Sequence, residues 1–445
     1  MAEFVVLGPE DDTLFRSEIY DGDGISSYSG GAGYDTFNIS AGTIGYIWFE
    51  PFYPYNLVQD PNVFAGYVEE LEREVFVFAF VQSFEHIIAG SGSDIFYTTV
   101  NQTTLDGGLG NDTFYYSAFL GINDGDHYIG NIGNDILDFR DQTDPDRGFV
   151  FDDLRGEITD SSGSSPKVAR FDGFENIYGT AGNDTIIPGL GTVVYNGASG
   201  NDLFDLDAGS FSSGATYLGS DGTDTLKFTS FTDGLTVDME AGAMLFESSF
   251  VSIFAFIGDF EIVRAGRGDD VLIGQDGSQK LIGGRGADEI WGRAGADHLE
   301  GGRGNDSIHG EDGNDTVFGG YGEDTITGGE GDDDLSGGRN DDSIEGGAGS
   351  DKIVGGRGND IMSGGTEADT FFFASNHGRD RITDFNPLEG DVIDLSKIAR
   401  FSGFGDVLTR STDISDDVVI STNGANEILL IGVSLSDLSA DNFAF

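Results

Sequence analysis

Aspartate recurs at a fixed interval in the second half of the sequence. Residues 265 to 372 divide without a gap into twelve nonapeptides, which begin AGRGDDVLI, GQDGSQKLI and GGRGADEIW. The sixth position of the repeat is aspartate in eleven of the twelve copies, and Gln279 is the exception. Carboxylates and peptide carbonyls are the hard oxygen donors that Ca²⁺ takes in proteins. The spacing therefore predicts metal ligands at Asp270, Asp288, Asp297, Asp306, Asp315, Asp324, Asp333, Asp342, Asp351, Asp360 and Asp369.

The same repeat predicts the elements that hold these side chains. Its eighth position is apolar in all twelve copies, which favours a strand of about three residues that buries one side chain per repeat. If two repeats complete one circuit, residues eighteen apart stack at the ~4.8 Å spacing of neighbouring strands. Residues 265 to 372 carry 24 acidic and eight basic side chains, a net charge of −16. Roughly nine divalent ions between successive turns would neutralise that charge.

The array resembles the nonapeptide repeats of RTX (haemolysin-type calcium-binding) proteins, whose consensus is GGxGxDxUx. The resemblance implies an all-β fold, a parallel β-roll or β-helix solenoid with Ca²⁺ in its turns. It also implies an extracellular protein that folds when it binds calcium.

Isolated copies of the repeat, separated by unrelated segments, occur in the first 264 residues, for example GGLGNDTFY at 107 and GTAGNDTII at 179. Their spacing predicts three degenerate RTX-like units, 1–88, 89–178 and 179–264, which form a degenerate β-solenoid with long insertions. In three places two good copies flank an off-pattern copy that has Thr103, Val193 or Gln279 in place of aspartate. We expect one-sided metal pairs there, namely Asp94 with Asp112, Asp184 with Asp202, and Asp270 with Asp288. Only Tyr67 to Phe80 and Leu435 to Asn442 have sequences that could form short helices.

Residues 373–445 lose the repeat and predict a β cap for the twelve-nonapeptide roll of 265–372. This segment resembles the capping region of serralysin-type exoproteins and mannuronan epimerase modules, through Asp384-Phe385 and the run from Gly390 to Ser396. The resemblance implies export by the type I secretion machinery through an uncleaved C-terminal signal. Deletion of about 60 C-terminal residues tests that expectation, since it should abolish export.

Composition excludes several classes of function. The 445 residues include 22 basic and 79 acidic side chains, a net charge of −57, so nucleic acid and anionic membranes are poor partners. Cysteine is absent, which excludes disulfides and thiolate sites. The sequence has no apolar run of 18 residues and no basic residue before its first apolar stretch, so neither a membrane span nor an N-terminal signal peptide is expected.

No catalytic or cofactor-binding motif is recognisable, since HExxH and GxSxG are both missing. The sequence therefore favours a secreted, calcium-binding structural, adhesive or surface-associated protein, with an extracellular glycan or cell surface as its partner. Two alternatives stay open: a polysaccharide-active enzyme with its site in residues 1–264, and a calcium-buffering or signalling protein. The aromatic segment from Tyr46 to Tyr55 could contact a sugar ring or a partner. It could equally close the N-terminal end of the solenoid.

Overall fold

The computed structural model describes residues 93–97, 103–116, 122–160, 166–189, 193–206, 213–228, 231–247 and 252–445, and eight short strands before residue 89. Those strands are Phe4–Val6, Thr13–Phe15, Ser27–Ser29, Thr36–Asn38, Tyr46–Trp48, Tyr67–Glu69, Val75–Phe76 and His86–Ile88. The helix predicted at Tyr67 to Phe80 is wrong at Tyr67–Glu69 and Val75–Phe76, which are strands, and the rest of that segment lies outside the described residues. Tyr46–Trp48 pairs antiparallel with Tyr67–Glu69. The remainder of the aromatic segment lies outside the described residues.

The chain divides into two compact units, Met1–Thr225 and Leu226–Phe445. The first unit continues with strands Asp94–Tyr97, Thr104–Asp106, Thr113–Tyr115, His127–Ile129, Ile136–Asp138, Phe149–Asp152, Glu157–Asp160, Lys167–Asp172, Asn176–Tyr178, Thr185–Ile187, Val194–Asn196, Leu203–Leu206 and Thr216–Leu218. Most of them pair in parallel with the strand after next, as Thr113–Tyr115 does with Ile136–Asp138. The insertion at 149–172 instead forms antiparallel strands. The first unit is thus a β-solenoid with side hairpins.

Aromatic rings fill the core of the first unit where the nonapeptide pattern is weak. The middle residue of most three-residue strands is buried, as Phe114 and Tyr128 are. Phe96 stacks on Phe114 from the neighbouring coil, with ring centroids 4.5 Å apart. Parallel strands in register place equivalent side chains one above another, and this stacking confirms the solenoid fold predicted for the degenerate repeats.

Strand Thr225–Phe228 spans the division, and the second unit then begins with Leu235–Asp238, Ala243–Glu247, Ser252–Gly258, Ile262–Arg264 and Val271–Ile273. Ten strands of six residues follow: Lys280–Arg285, Glu289–Ala294, His298–Arg303, Ser307–Asp312, Thr316–Tyr321, Thr325–Glu330, Asp334–Arg339, Ser343–Ala348, Lys352–Arg357 and Ile361–Thr366. The first nine pair in parallel with the strand eighteen residues on, as Leu281 faces Leu299 and Ile290 faces Ile308. The tenth pairs with Arg379–Ile382, twenty residues on. Two sheets result, and two repeats per circuit are confirmed.

The strands of the array are longer than the three residues expected. Pairing continues past the apolar position, so that Gly284 faces Gly302 and Arg285 faces Arg303. Glycine at the second position permits this, because Gly302 has φ 113° and a Cβ there would lie 2.4 Å from the carbonyl oxygen of Gly284. All twelve eighth-position side chains are at most 2 % exposed, which places the predicted apolar column in the core.

The C-terminal segment extends both sheets and then ends them. Its strands are Thr370–Phe372, Arg379–Ile382, Val392–Asp394, Ser411–Ile414, Asp417–Ser421, Glu427–Leu430 and Phe443–Ala444. The sheet that contains Lys280–Arg285 ends with Phe443–Ala444 on Val392–Asp394. The sheet that contains Glu289–Ala294 ends in antiparallel pairing of its last three strands. Leu435–Asp437 and Ala440–Asn442 are short 3₁₀ turns, and an α-helix that the sequence did not predict lies at Phe404–Arg410. No helix in the described part of the chain is long and apolar enough to cross a membrane.

Candidate metal centre

The predicted aspartates of the array form two continuous ladders of hydrogen bonds. In each, the backbone N–H of one sixth-position residue donates to Oδ1 of the aspartate one circuit later, at 2.7–3.1 Å. The first ladder contains Asp270, Asp288, Asp306, Asp324, Asp342, Asp360 and Asp380. The second ladder contains Gln279, Asp297, Asp315, Asp333, Asp351, Asp369 and Asp391. The carboxylates therefore face the interior of the turns and not the solvent.

The second carboxylate oxygen of ten of the eleven array aspartates accepts no hydrogen bond from the protein. Ten aspartates at most 2 % exposed have an Oδ2 atom that is buried and accepts no hydrogen bond: Asp288, Asp297, Asp306, Asp315, Asp324, Asp333, Asp342, Asp351, Asp360 and Asp369. An unsatisfied buried acceptor costs about 1–3 kcal/mol, and more when it is charged. Ten equivalent acceptors of this kind fit the binding of a cation.

First-position glycines make room for these oxygens. A Cβ on Gly310 would lie 2.3 Å from Asp315 Oδ2 and 2.5 Å from the carbonyl oxygen of Gly328, which belongs to the next circuit. A Cβ on Gly328 would likewise lie 2.2 Å from Asp333 Oδ2 and 2.6 Å from the carbonyl oxygen of Gly346. A carboxylate oxygen and a carbonyl oxygen from successive circuits thus converge beside both glycines. A side chain at either position would displace them.

Burial also raises the pKa of these carboxyl groups. It raises the pKa of Asp297 and of Asp333 to about 7, and that of Asp342 to about 8. Neighbouring carboxylates of the same ladder add to the effect, as Asp360 and Asp324 do for Asp342. At neutral pH the ladders therefore need either protons or cations to balance their charge.

Backbone carbonyls must supply most of the remaining ligands. Within the described residues, no three acidic or histidine side chains converge on one point, so a cation in a turn would be held by one or two carboxylates and by peptide oxygens. A mixed set of flexible, hard oxygen donors suits Ca²⁺ better than Mg²⁺, which demands a near-ideal octahedron. The donors of the array fit calcium.

Comparison with known proteins agrees with this geometry. Residues 171–210, 258–278, 274–308, 309–344 and 336–371 match the family described as RTX calcium-binding nonapeptide repeat. The chain carries RTX repeats. No curated protein matches it.

Three solved structures resemble parts of the chain. The extracellular lipase LipA from Serratia marcescens is 20 % identical over 62 % of this chain, with a TM-score of 0.24, and the match covers 40 % of the lipase. The AlgE6R3 subunit of the Azotobacter vinelandii mannuronan C5-epimerase is 32 % identical over 33 % of this chain and 80 % of its own, with a TM-score of 0.24. The AlgE6R2 subunit of that epimerase is 24 % identical over 33 % of this chain and 91 % of its own, with a TM-score of 0.23.

Gln279 replaces the sixth-position aspartate with an uncharged amide that keeps the backbone ladder. Its backbone N–H joins the second ladder through Asp297. Its side-chain Oε1 takes the place beside Gly274, where a Cβ would lie 2.9 Å away, and accepts the N–H of Gln275 at 3.2 Å. The side-chain oxygen of Gln279 is thus hydrogen-bonded and carries no charge.

The one-sided pairs upstream are less uniform than the array. Asp184 and Asp202 are joined by the ladder bond at 2.7 Å, and Asp202 Oδ2 is a further buried oxygen without a hydrogen bond. Both oxygens of Asp184, however, accept hydrogen bonds, from the N–H groups of Phe149 and Thr180. Asp270 is similar, since the N–H groups of Leu235 and Gly266 donate to its two oxygens.

The remaining upstream pair is Asp94 with Asp112. The strand that Asp94 begins pairs in parallel with Thr113–Tyr115, so the backbone places the two residues on neighbouring coils. The side chain of Asp94 lies outside the described residues. The N–H of Asp112 donates to Asp135 Oδ1 at 2.7 Å, which extends the ladder pattern over a spacing of 23 residues.

Sequence reasoning missed two groups of residues. Asp380 and Asp391 continue the ladders into the cap, and the signal was an aspartate two residues before an isoleucine. An exposed ladder at the fifth position was also missed, in which Asn305 Oδ1 accepts the N–H of Glu323 at 3.0 Å and Asp332 Oδ1 accepts that of Ser350 at 2.8 Å. Its bonds run in the opposite direction along the chain, so each turn is tied to both neighbours.

Proposed function

We propose that this chain is a secreted calcium-binding protein whose RTX array folds when Ca²⁺ enters its turns. The observation that carries the proposal is the set of ten buried Oδ2 atoms without hydrogen bonds in the array. Without a metal these buried charges would be uncompensated and would destabilise the fold. A cation in each turn would bind these oxygens as ligands and remove that penalty.

Charge supports the number of ions. The array carries a net charge of −16, and we propose that it holds roughly nine Ca²⁺, which bring about +18. At a calcium concentration ten times the dissociation constant, nine sites would contribute about 13 kcal/mol. That figure equals the whole stability of a typical domain, ~5–15 kcal/mol. Calcium would thus decide whether this segment folds.

Asp202 supports a further ion upstream, because its Oδ2 resembles those of the array. The pairs that involve Asp94, Asp184 and Asp270 stay predictions. The division into five parts also stays a prediction.

We assign the protein to the extracellular space because RTX repeat proteins are typically secreted and because calcium-coupled folding suits export. A chain that stays unfolded where calcium is scarce can be threaded through type I machinery and then fold outside. We propose a structural or adhesive role for the folded solenoid. No arrangement of the described residues favours the alternative of a polysaccharide-active enzyme, which stays a prediction.

Circular dichroism of the full chain during a calcium titration tests the proposal. We expect β-sheet signal and a cooperative thermal transition to appear with calcium, to disappear with EGTA, and to be restored poorly by equal magnesium. A spectrum and melting temperature that do not respond to calcium or EGTA would refute it.

A further inference from the structure

A straight column of arginines lies beside the turns of one sheet of the array. The third position of every second nonapeptide is Arg267, Arg285, Arg303, Tyr321, Arg339 and Arg357. From Arg285 onward, each residue is the backbone partner of the next on the adjacent parallel strand, so the column has the ~4.8 Å spacing of neighbouring strands. We call these six residues the arginine column.

The other sheet has no counterpart. Its third positions are Asp276, Ala294, Asp312, Glu330, Ala348 and Thr366, which include three acids and no base. The arginine column holds five of the eight basic residues of the array. Cationic charge is therefore concentrated on one side of a strongly acidic roll.

The arginines of the column lack carboxylate partners. All six column residues are exposed, and in the part of the chain that the structure describes none of the five guanidinium groups has an acidic oxygen within 4.0 Å. Two other arginines of the second unit are paired: Arg293 contacts Glu240 at 3.0 Å and Arg379 contacts Glu427 at 3.4 Å. Cations stacked at strand spacing repel one another, and no carboxylate of the described residues pairs with them to offset that repulsion. An anionic ligand would remove the repulsion.

Tyr321 interrupts the column with an aromatic surface. Its side chain is 48 % exposed, and the guanidinium groups of Arg303 and Arg339 lie 5.5 and 4.7 Å from its ring centroid. Cation–π contact orients both neighbours. A tyrosine between arginines offers a flat amphipathic face on which a sugar ring can pack.

A groove of about 500 Å³ runs along one end of the column. The glycines of the second position, Gly266, Gly284 and Gly302, line it together with Tyr321 and the column arginines Arg267, Arg285 and Arg303, and Arg264 adds a further guanidinium. Because these glycines lack side chains, a ligand chain could approach the backbone while the arginines contact it from the side.

We propose that the arginine column binds a linear acidic polysaccharide that carries a carboxylate on its sugar rings. This names a ligand for the adhesive role and rests on the proposed function, because the column exists only in the folded roll. Planar guanidinium forks bind carboxylates in a bidentate manner, and a spacing of ~4.8 Å is about the length of one ring in an extended chain. Duplex DNA carries one charge per ~1.7 Å, so its phosphates are far more closely spaced than the guanidinium groups of the column.

Two matched double variants test the assignment. Arg285→Gln with Arg303→Gln removes two column charges, and Arg293→Gln with Arg379→Gln removes two paired arginines from the other sheet. Calorimetry measures binding of a short oligogalacturonate to the full chain at constant millimolar free calcium, with uncharged dextran and single-stranded DNA as comparison ligands. Circular dichroism confirms that each variant folds with calcium.

We expect the column variant to bind the oligogalacturonate roughly tenfold more weakly and with a smaller salt dependence, and the control to change less than twofold. Equal losses in both variants would overturn the proposal, since bulk charge would then explain binding. So would dextran or DNA binding as tightly as the oligogalacturonate. Absence of binding by a wild-type chain that folds with calcium would overturn this proposal alone and leave the calcium proposal standing.

Discussion

Replacing one ladder carboxylate by its amide should change stability in opposite directions with and without calcium. Asp333→Asn keeps Oδ1, which accepts the N–H of Asp315 at 2.8 Å, and places an amide nitrogen where Oδ2 lies. That nitrogen would sit beside the carbonyl oxygen of Gly346 and could donate to it. The variant therefore removes a buried charge without removing the ladder bond.

The size of each effect follows from the site. At a calcium concentration of 100 times the dissociation constant, one site contributes about 2.7 kcal/mol, so the calcium-loaded variant should melt roughly 5–10 °C lower. Without calcium the variant is relieved of an unsatisfied buried acceptor, which should stabilise it by about 1–3 kcal/mol. The stability of the variant should therefore depend less steeply on calcium concentration than the stability of the wild type.

Thermal unfolding followed by circular dichroism, together with equilibrium dialysis of calcium, measures both effects. The control is Glu330→Gln, which removes the same charge from an exposed third-position side chain of the same nonapeptide. It should leave the amount of bound calcium unchanged. The reasoning is refuted if the two variants lose equal stability in calcium, or if Asp333→Asn binds as much calcium as the wild type.

Three further outcomes are expected. Gln279→Asp replaces an amide that already satisfies its turn, so calorimetry should detect about one additional calcium ion; an unchanged stoichiometry would contradict this. Ile308→Ala empties a core position that is 0 % exposed and should cost about 2–5 kcal/mol in excess calcium, whereas denaturant unfolding that shows less than 1 kcal/mol would place that side chain outside a packed core. Burial raises the pKa of Asp297 to about 7, above ~3.9 in an unfolded chain, so the folded state binds more protons in this interval. Acidification of the calcium-free chain from pH 8 to 5 should therefore shift its equilibrium towards the fold, and a circular dichroism spectrum that gains no β-sheet signal on acidification would argue against it.

The repeat itself could be predicted because its physics is periodic. The apolar residue at the eighth position of each nonapeptide defines the core column, and the aspartate at the sixth position of eleven of them defines the turn column. The pairing of Leu281 with Leu299 follows from two repeats per circuit. The strand length could not be read in the same way. Pairing at Gly284 depends on a positive φ and on close backbone approach, which the apolar pattern does not encode.

Hydrogen bonds that join residues on either side of a long insertion could not be predicted from the sequence. Asp184 and Asp270 each accept a hydrogen bond from a backbone N–H thirty-five residues earlier, and no local pattern indicates those partners. Asp380 and Asp391 were missed because the ladder spacing changes to 20 and 22 residues in the cap. The arginine column, in contrast, is visible in the sequence as third-position residues eighteen apart, once two repeats per circuit are assumed.

A crystal structure of the full chain grown in millimolar calcium, with anomalous data, tests the central claim most directly. We predict a row of anomalous peaks along each ladder, each at the 2.3–2.6 Å of a calcium–oxygen bond from an array Oδ2 atom. Turns without such peaks, with Oδ2 atoms bonded to water or to protein donors, would contradict the account.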